Sequence, residues 1–223
     1  AGPAYWSITP VGTECTRTTG GIPIGFDEDS EYFGPVRKSL VKNAMAVPEL
    51  VAKIRDPEAF RYVTLRFLVQ APKLAFVSIW NPTFLGLLLR PLHEWGERLA
   101  YDLAHGTVTP PDQRPSDIAR GMRRHLRRDS GRAAEILRLS REWRTGADGL
   151  AERLWPTLTV VSAWADGPAE TSVEIIRDLF PHVPIQPKGL LATEGVVSFP
   201  LGKMAGGALA VTSHFFEFEE VEE

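Results

Sequence analysis

One stretch late in the chain constrains the architecture more than any other. Leu158-Thr-Val-Val-Ser-Ala-Trp164 is β-branched and of strand length, and Ala165-Asp-Gly-Pro168 is a turn. Residues 171–180 are amphipathic, with Val173, Ile176 and Phe180 on one side, and Val183-Pro-Ile185 follows as a short extended piece. A helix between two strands of one sheet carries the chain back so that the second strand runs parallel to the first. The predicted fold class is therefore α/β, with helices packed on a mixed, partly parallel sheet. Further extended pieces are expected at 189–192, 208–212 and 214–218, with Gly202-Lys203-Met-Ala-Gly206-Gly207 as a flexible hairpin.

Helical periods dominate before Pro156. Residues 39–54 place Leu40, Val41, Ala44, Val47, Leu50 and Val51 near a 3.6-residue period, broken by Pro48. Asp56-Pro57-Glu58 is a helix start, a cap followed by a proline and an acid in the first turn. The run 61–69 that follows is also β-branched and aromatic enough for a strand, so both assignments stay open. Pro82 opens an apolar helix with Leu85, Leu88, Leu89, Leu92 and Trp95 on one side, followed by a proline-rich linker at 106–116. Residues 1–35 are rich in glycine and proline, with Tyr5-Trp6-Ser7-Ile8-Thr9-Pro10 as a short strand and 20–25 as turns around an extended piece.

Charge and composition exclude several classes of function. The 223 residues are 43% hydrophobic, enough for a real core, and 25 basic against 28 acidic residues leave a net charge of −3. That balance argues against a chain built for nucleic acid or anionic membrane. The longest apolar stretch, 74–89, carries Asn81 and Pro82 and falls short of the roughly 20 residues of a membrane span. Cys15 stands alone, which excludes an internal disulfide and makes a reducing, cytoplasmic compartment the default. The start, Ala1-Gly-Pro, shows neither a signal peptide nor an initiator methionine, as in a processed chain or a piece of a longer one. Residues 114–144 hold ten arginines against four acids, with Ile118, Met122, Leu126, Ala133, Ile136, Leu137 and Trp143 at helical spacing. Two readings remain for them, a pair of solvated helices or a face that attracts an anion.

Few residues carry chemistry by themselves. Leu191-Ala192-Thr193-Glu194-Gly195 sets a hydroxyl, a carboxylate and a glycine after an apolar strand, where α/β proteins bind ligands. A threonine hydroxyl suits a phosphate, and a carboxylate suits Mg²⁺ that bridges phosphates. The glycines at 202–207 lack the Gly-Lys-Ser/Thr spacing of a phosphate loop, and Thr18-Thr19-Gly20-Gly21-Ile22-Pro23 has no lysine after its proline. The five histidines show no metal-ligand spacing, and no serine lies in a Gly-x-Ser-x-Gly elbow. The acidic end, 217–223, reads as solvated.

The segments taken in order are more specific than any one of them. Tyr5-Trp6-Ser7-Ile8-Thr9-Pro10, Gly21-Ile-Pro-Ile-Gly25, Ser78-Ile-Trp80, Leu85-Gly-Leu-Leu and Leu92-His-Glu-Trp95 come first. Leu154-Trp155-Pro156, Leu191-Ala-Thr-Glu-Gly-Val-Val-Ser-Phe199 and Ser213-His-Phe-Phe-Glu-Phe218 complete the series. The chain resembles the Gretchen Hagen (auxin-responsive) family of acyl acid-amido synthetases, in its bacterial form, across nearly its whole length. The resemblance implies part of the large N-terminal domain of an adenylate-forming enzyme. Residues 1–155 would form the mainly helical acyl-acid side and 156–223 the α/β nucleotide side. It implies ATP and Mg²⁺, a small carboxylic acid of aromatic or apolar character, and an amine or amino acid acceptor. The acid would become an acyl-adenylate, from which the amine displaces AMP.

Carried over by position, Ala192, Thr193, Glu194 and Gly195 would be the nucleotide loop, with Thr193 on the α-phosphate and Glu194 on Mg²⁺. Trp164, Ala165 and Asp166 would wall one side of adenine, and Phe215 and Phe216 would pack near it. A helix running from Ser78 through Trp80, Asn81 and Phe84 to Leu88 would line the acid pocket. The family's upstream phosphate loop and its mobile C-terminal domain have no counterpart in these residues. A second reading follows from that departure, a catalytically incompetent relative or fragment that binds a ligand or partner without turnover.

Overall fold

The computed structural model describes residues 2–7, 16–20, 23–24, 44–111, 120–143, 149–191, 195–202 and 206–219. Its strands among these are β1 (Ala4–Trp6), β2 (Thr16–Arg17), β3 (Pro23–Ile24), β4 (Phe76–Ser78), β5 (Val160–Ala163), β6 (Ile185–Pro187), β7 (Ser198–Pro200) and β8 (Gly207–Leu209). Four of them form one sheet in the order β1-β4-β5-β6, and every pair in it is parallel. Ala4 lies opposite Phe76, Phe76 opposite Val160, and Val161 opposite Ile185. The strand–helix–strand run read from the sequence is the β5-to-β6 unit. β2–β3 and β7–β8 are separate antiparallel pairs, so the sheets taken together are mixed.

Local chemistry sets the helices: α1 (Pro57–Gln70), α2 (Pro82–Leu89), α3 (Leu92–His105), α4 (Ser130–Trp143), α5 (Leu150–Leu154) and α6 (Glu170–Leu179). The ambiguous run 61–69 is helical. Asp56 accepts the Ala59 N–H at 2.7 Å and Pro57 occupies the first turn, so the helix is started firmly. Its β-branched and aromatic residues reflect burial, since Phe60, Val63, Leu65, Phe67, Leu68 and Val69 are all enclosed. The single helix expected from Pro82 is instead two helices, because Pro91 has no N–H to continue the ladder. Asn81 caps the first, and Gly106, at φ 66°, ends the second.

Several expected elements are corrected. Ser78 closes strand β4 and belongs to no helix. Within 39–54, the described residues form a 3₁₀ turn, Glu49–Lys53, after Pro48, while 39–43 lie outside the described residues. Residues 214–218 form no strand, and the strand expected at 208–212 is β8, Gly207–Leu209. A three-residue strand leaves too short a pattern for its ends to be read.

The core packs α1 through α6 against the sheet and contains a polar knot. Arg66 is wholly buried and donates to Asp102 O at 3.0 Å, Thr107 O at 3.1 Å and Gln70 Oε1 at 3.0 Å. The Asp102 carboxylate accepts from Tyr62 Oη at 2.7 Å, Thr107 Oγ1 at 2.6 Å and Thr109 N at 2.7 Å. Burial pulls the pKa of Arg66 down, with the Asp102 charge opposing it, while burial and then Asp102 push Tyr62 up. Arg132, one of the ten arginines of 114–144, is also buried and donates to Val69 O and Leu154 O. Part of that arginine excess is therefore internal scaffolding.

Candidate active site at the strand ends

In a parallel sheet all strands finish on one side, and ligands of α/β proteins bind there. β1, β4, β5 and β6 end at Trp6, Ser78, Ala163 and Pro187. Beyond those ends lie Trp80 and Asn81, then Trp164, Ala165 and Asp166, then Lys188. Hydrogen bonding continues past the strands, with Ile79 N donating to Ser162 O and Trp164 N to Trp80 O, both at 2.9 Å. The two indoles are thereby set side by side, with ring centroids 5.3 Å apart and planes at 59°. Trp80 is 37% exposed and Trp164 39%, so each offers an aromatic face to a ligand. The residues read as acid-binding and those read as adenine-binding meet at this pair.

Lys188 joins the cluster from β6. Its Nζ donates to the buried Ser78 Oγ at 2.7 Å and lies 5.2 Å from the Trp80 ring centroid. Burial lowers the pKa of its ammonium. Sequence reasoning did not single this lysine out. No motif marks it, and its position becomes visible only once β6 is paired to β5 and β5 to β4.

The remaining expected residues divide. Asn81 spends its side-chain oxygen as a helix cap, accepting from Thr83 N at 2.9 Å and Thr83 Oγ1 at 2.8 Å. Phe84 is half-buried against the core, and Leu88 is fully enclosed within it. Ala165 is half-buried and Asp166 exposed beside Trp164. Phe215 is 92% exposed, whereas Phe216 is half-buried and stacks on Phe218 with centroids 6.3 Å apart.

Ala192, Thr193 and Glu194 lie outside the described residues, but both flanks of their loop are defined. Leu191 and Val196 form an antiparallel bridge, and Val197 N and Ser198 N donate to Leu190 O at 3.0 and 3.1 Å. Gly189 turns the chain at φ 73°, where an added Cβ would meet Ser198 O at 2.4 Å. Gly195 abuts the His214 ring, whose Nε2 would lie 1.7 Å from an added Cβ. Among the described residues no three His, Cys, Asp or Glu side chains gather into a metal-binding group. A groove of about 350 Å³ between α3 and α4, lined by Tyr101, Ala104, Ala133 and Leu137, is mostly apolar. The converging polar and aromatic groups favour the strand ends instead.

The GH3 family N-terminal domain matches residues 9–185. The chain belongs to the GH3 family. That match contains Ser78, Trp80, Asn81, Phe84, Leu88, Trp164, Ala165 and Asp166, and it ends before Lys188 and the 191–195 loop. The fold is similar to "GH3.15 acyl acid amido synthetase", with a TM-score of 0.65 over 88% of this chain at 12% identity. It is similar also to "AtGH3.15 acyl acid amido synthetase in complex with 2,4-DB", with a TM-score of 0.66 over 89% at 12% identity. The GH3 chain spans 34% of the length of each of those structures, and matches the N-terminal part of the fold. No curated protein matches it. No described helix is long and apolar enough to cross a membrane.

Proposed function

We propose that this GH3 chain carries the acid- and nucleotide-binding part of an acyl acid-amido synthetase. The observation that carries the reading is the contact of Trp80 with Trp164 where the parallel strands end. An oxygen of the acid's carboxylate must attack the α-phosphorus of ATP as pyrophosphate leaves, so the two subsites have to adjoin. An amine then attacks the acyl carbon, loses a proton, and releases AMP. Residues 1–155 contribute Ser78 and Trp80 to the acid side, and 156–223 contribute Trp164 and Asp166 to the nucleotide side.

In this reading Trp164, Ala165 and Asp166 wall adenine, with Phe215 and Phe216 closing on it from the later segment. Thr193 donates to the α-phosphate, while Ala192 and Gly195 let the backbone approach it. Ser78, Trp80 and Phe84 face the acid, which suits an aromatic or apolar substrate. Asn81 fixes the start of α2 and Leu88 backs the wall from inside the core. Mg²⁺ bound with a nucleotide needs only one or two protein carboxylates, because phosphates and water complete its shell. Glu194 is the carboxylate we assign to the ion. The ion would neutralise phosphate charge as pyrophosphate departs. The single cysteine supports our placing the chain in a reducing, cytoplasmic setting.

The test is acid-dependent ATP–pyrophosphate exchange by the complete reading frame that carries this chain, over aromatic, indolic and fatty acids, with 2,4-DB included. Exchange with any acid, abolished in Glu194→Ala at unchanged melting temperature, is the expected result. Binding of acid or nucleotide without exchange would instead identify a catalytically incompetent binding module.

A further inference from the structure

Among the described residues, those that contact the Lys188 ammonium are neutral. Lys188 follows β6 and Ser78 ends β4, with β5 between them in the sheet, so their contact ties together two strands that do not pair directly. The Ser78 hydroxyl takes one N–H, and the Trp80 ring lies alongside. A hydroxyl and an indole face carry no net charge, and among the described residues no carboxylate pairs with this ammonium. A half-buried cation held in that way lacks the partner that would offset its desolvation. The partial loss of hydration is felt as the lowered Lys188 pKa. An anionic ligand oxygen would supply the missing charge through the N–H groups that Ser78 leaves unused.

We propose that Lys188 is a substrate-binding residue that holds the carboxylate of the acyl acid, with Ser78 and Trp80 fixing its ammonium in place. The inference rests on the acyl acid-amido synthetase reading and deepens it. Its neighbours decide the choice between carboxylate and phosphate, since Ser78 and Trp80 both come from the acid side. Held by Lys188, the carboxylate is kept ionised and aimed, which the attack on phosphorus requires.

The test uses the complete reading frame and three matched pairs of probes: phenylacetate and phenylacetamide, indole-3-acetate and its amide, octanoate and octanamide. Calorimetry should show the unaltered protein binding at least one acid about tenfold more tightly than its amide, the worth of a charge-assisted hydrogen bond. Lys188→Met should erase that preference, and Lys188→Arg should retain most of it. In exchange assays Lys188→Met should raise KM for the acid and leave KM for ATP unchanged. Lys188→Gln, which keeps a donor for Ser78, serves the same comparison if the methionine variant melts early. The inference is overturned if the unaltered protein binds no acid or treats acid and amide alike. It is overturned equally if the preference survives in Lys188→Met, or if KM for ATP rises alone, which would assign the lysine to phosphate. A protein that prefers the acid through Lys188 but gives no exchange would sink the catalytic reading and keep this one. Exchange that is indifferent to Lys188 would do the reverse.

Discussion

Trp80 and Trp164 are tied together through their own backbones, so the ring pair is set by strand register as well as by packing. Trp164 is 39% exposed but packs on Trp80, so Trp164→Ala should cost about 0.5–1.5 kcal/mol for the lost aromatic pair, beyond the area it uncovers. The same variant should raise KM for ATP in exchange assays. Leu88 gives a different expectation. It is fully enclosed, and Leu88→Ala should lower unfolding free energy by about 2–5 kcal/mol in denaturant titration. Gly195→Ala should drive the His214 ring from its place, a displacement readable in the imidazole resonances by NMR. At this scale the sequence was partly legible. Trp164 stood out at the end of a strand, whereas Trp80 was read as part of a helix, and both were assigned to the site through the family resemblance. Leu88 could not be told from a pocket residue, because an apolar side chain looks the same whether it faces ligand or core. Lys188 was invisible for the same kind of reason, since its neighbours Ser78 and Trp80 are more than 100 residues away in sequence.

Between elements, α4 and α5 are linked by Glu142, which accepts from Arg138 at 2.6 Å and from Arg153 at 2.5 Å. Hydrogen bonding to Arg153 is the main cause that holds the Glu142 pKa below its ordinary 4.5, with Arg138 assisting. A carboxyl with a depressed folded-state pKa stabilises the fold above its unfolded value and loses that effect as the pH falls through the folded one. Glu142→Gln should therefore melt slightly below the unaltered protein at pH 7, and the two should converge in acid below pH 4.5. The Asp102 knot should be less forgiving. Asp102→Ala strands the buried Tyr62 hydroxyl and the backbone N–H of Thr109 and removes a charge facing Arg66. The expected loss is about 3–5 kcal/mol by denaturant titration. Helix starts were legible where a proline opens the first turn, at Asp56-Pro57 and at Pro82, although the type of 61–69 stayed open until its burial was known. Legibility failed where short strands gave no period: β4 was taken into the following helix, and 214–218 looked like a strand on aromatic content alone.

For the whole molecule, the parallel sheet was readable because one strand–helix–strand run leaves so few ways to pair. The family match and the likeness to far longer structures agree with that architecture, over 34% of those chains. The sheet also brings the distant halves of the site into register. Ser78 ends β4, and Trp164 follows β5 directly. The same topology has a kinetic side. β1 has its sheet partner in β4, Ala4 opposite Phe76, so β1 waits for some 70 further residues before that partner exists. Helix α1 lies inside that interval and forms from local contacts. Ends so far apart are costly to bring together, and such pairings are made late. Pulse-labelling hydrogen exchange during refolding should accordingly find the α1 amides protected first, and those of Tyr5 and Trp6 only when β4 is in place.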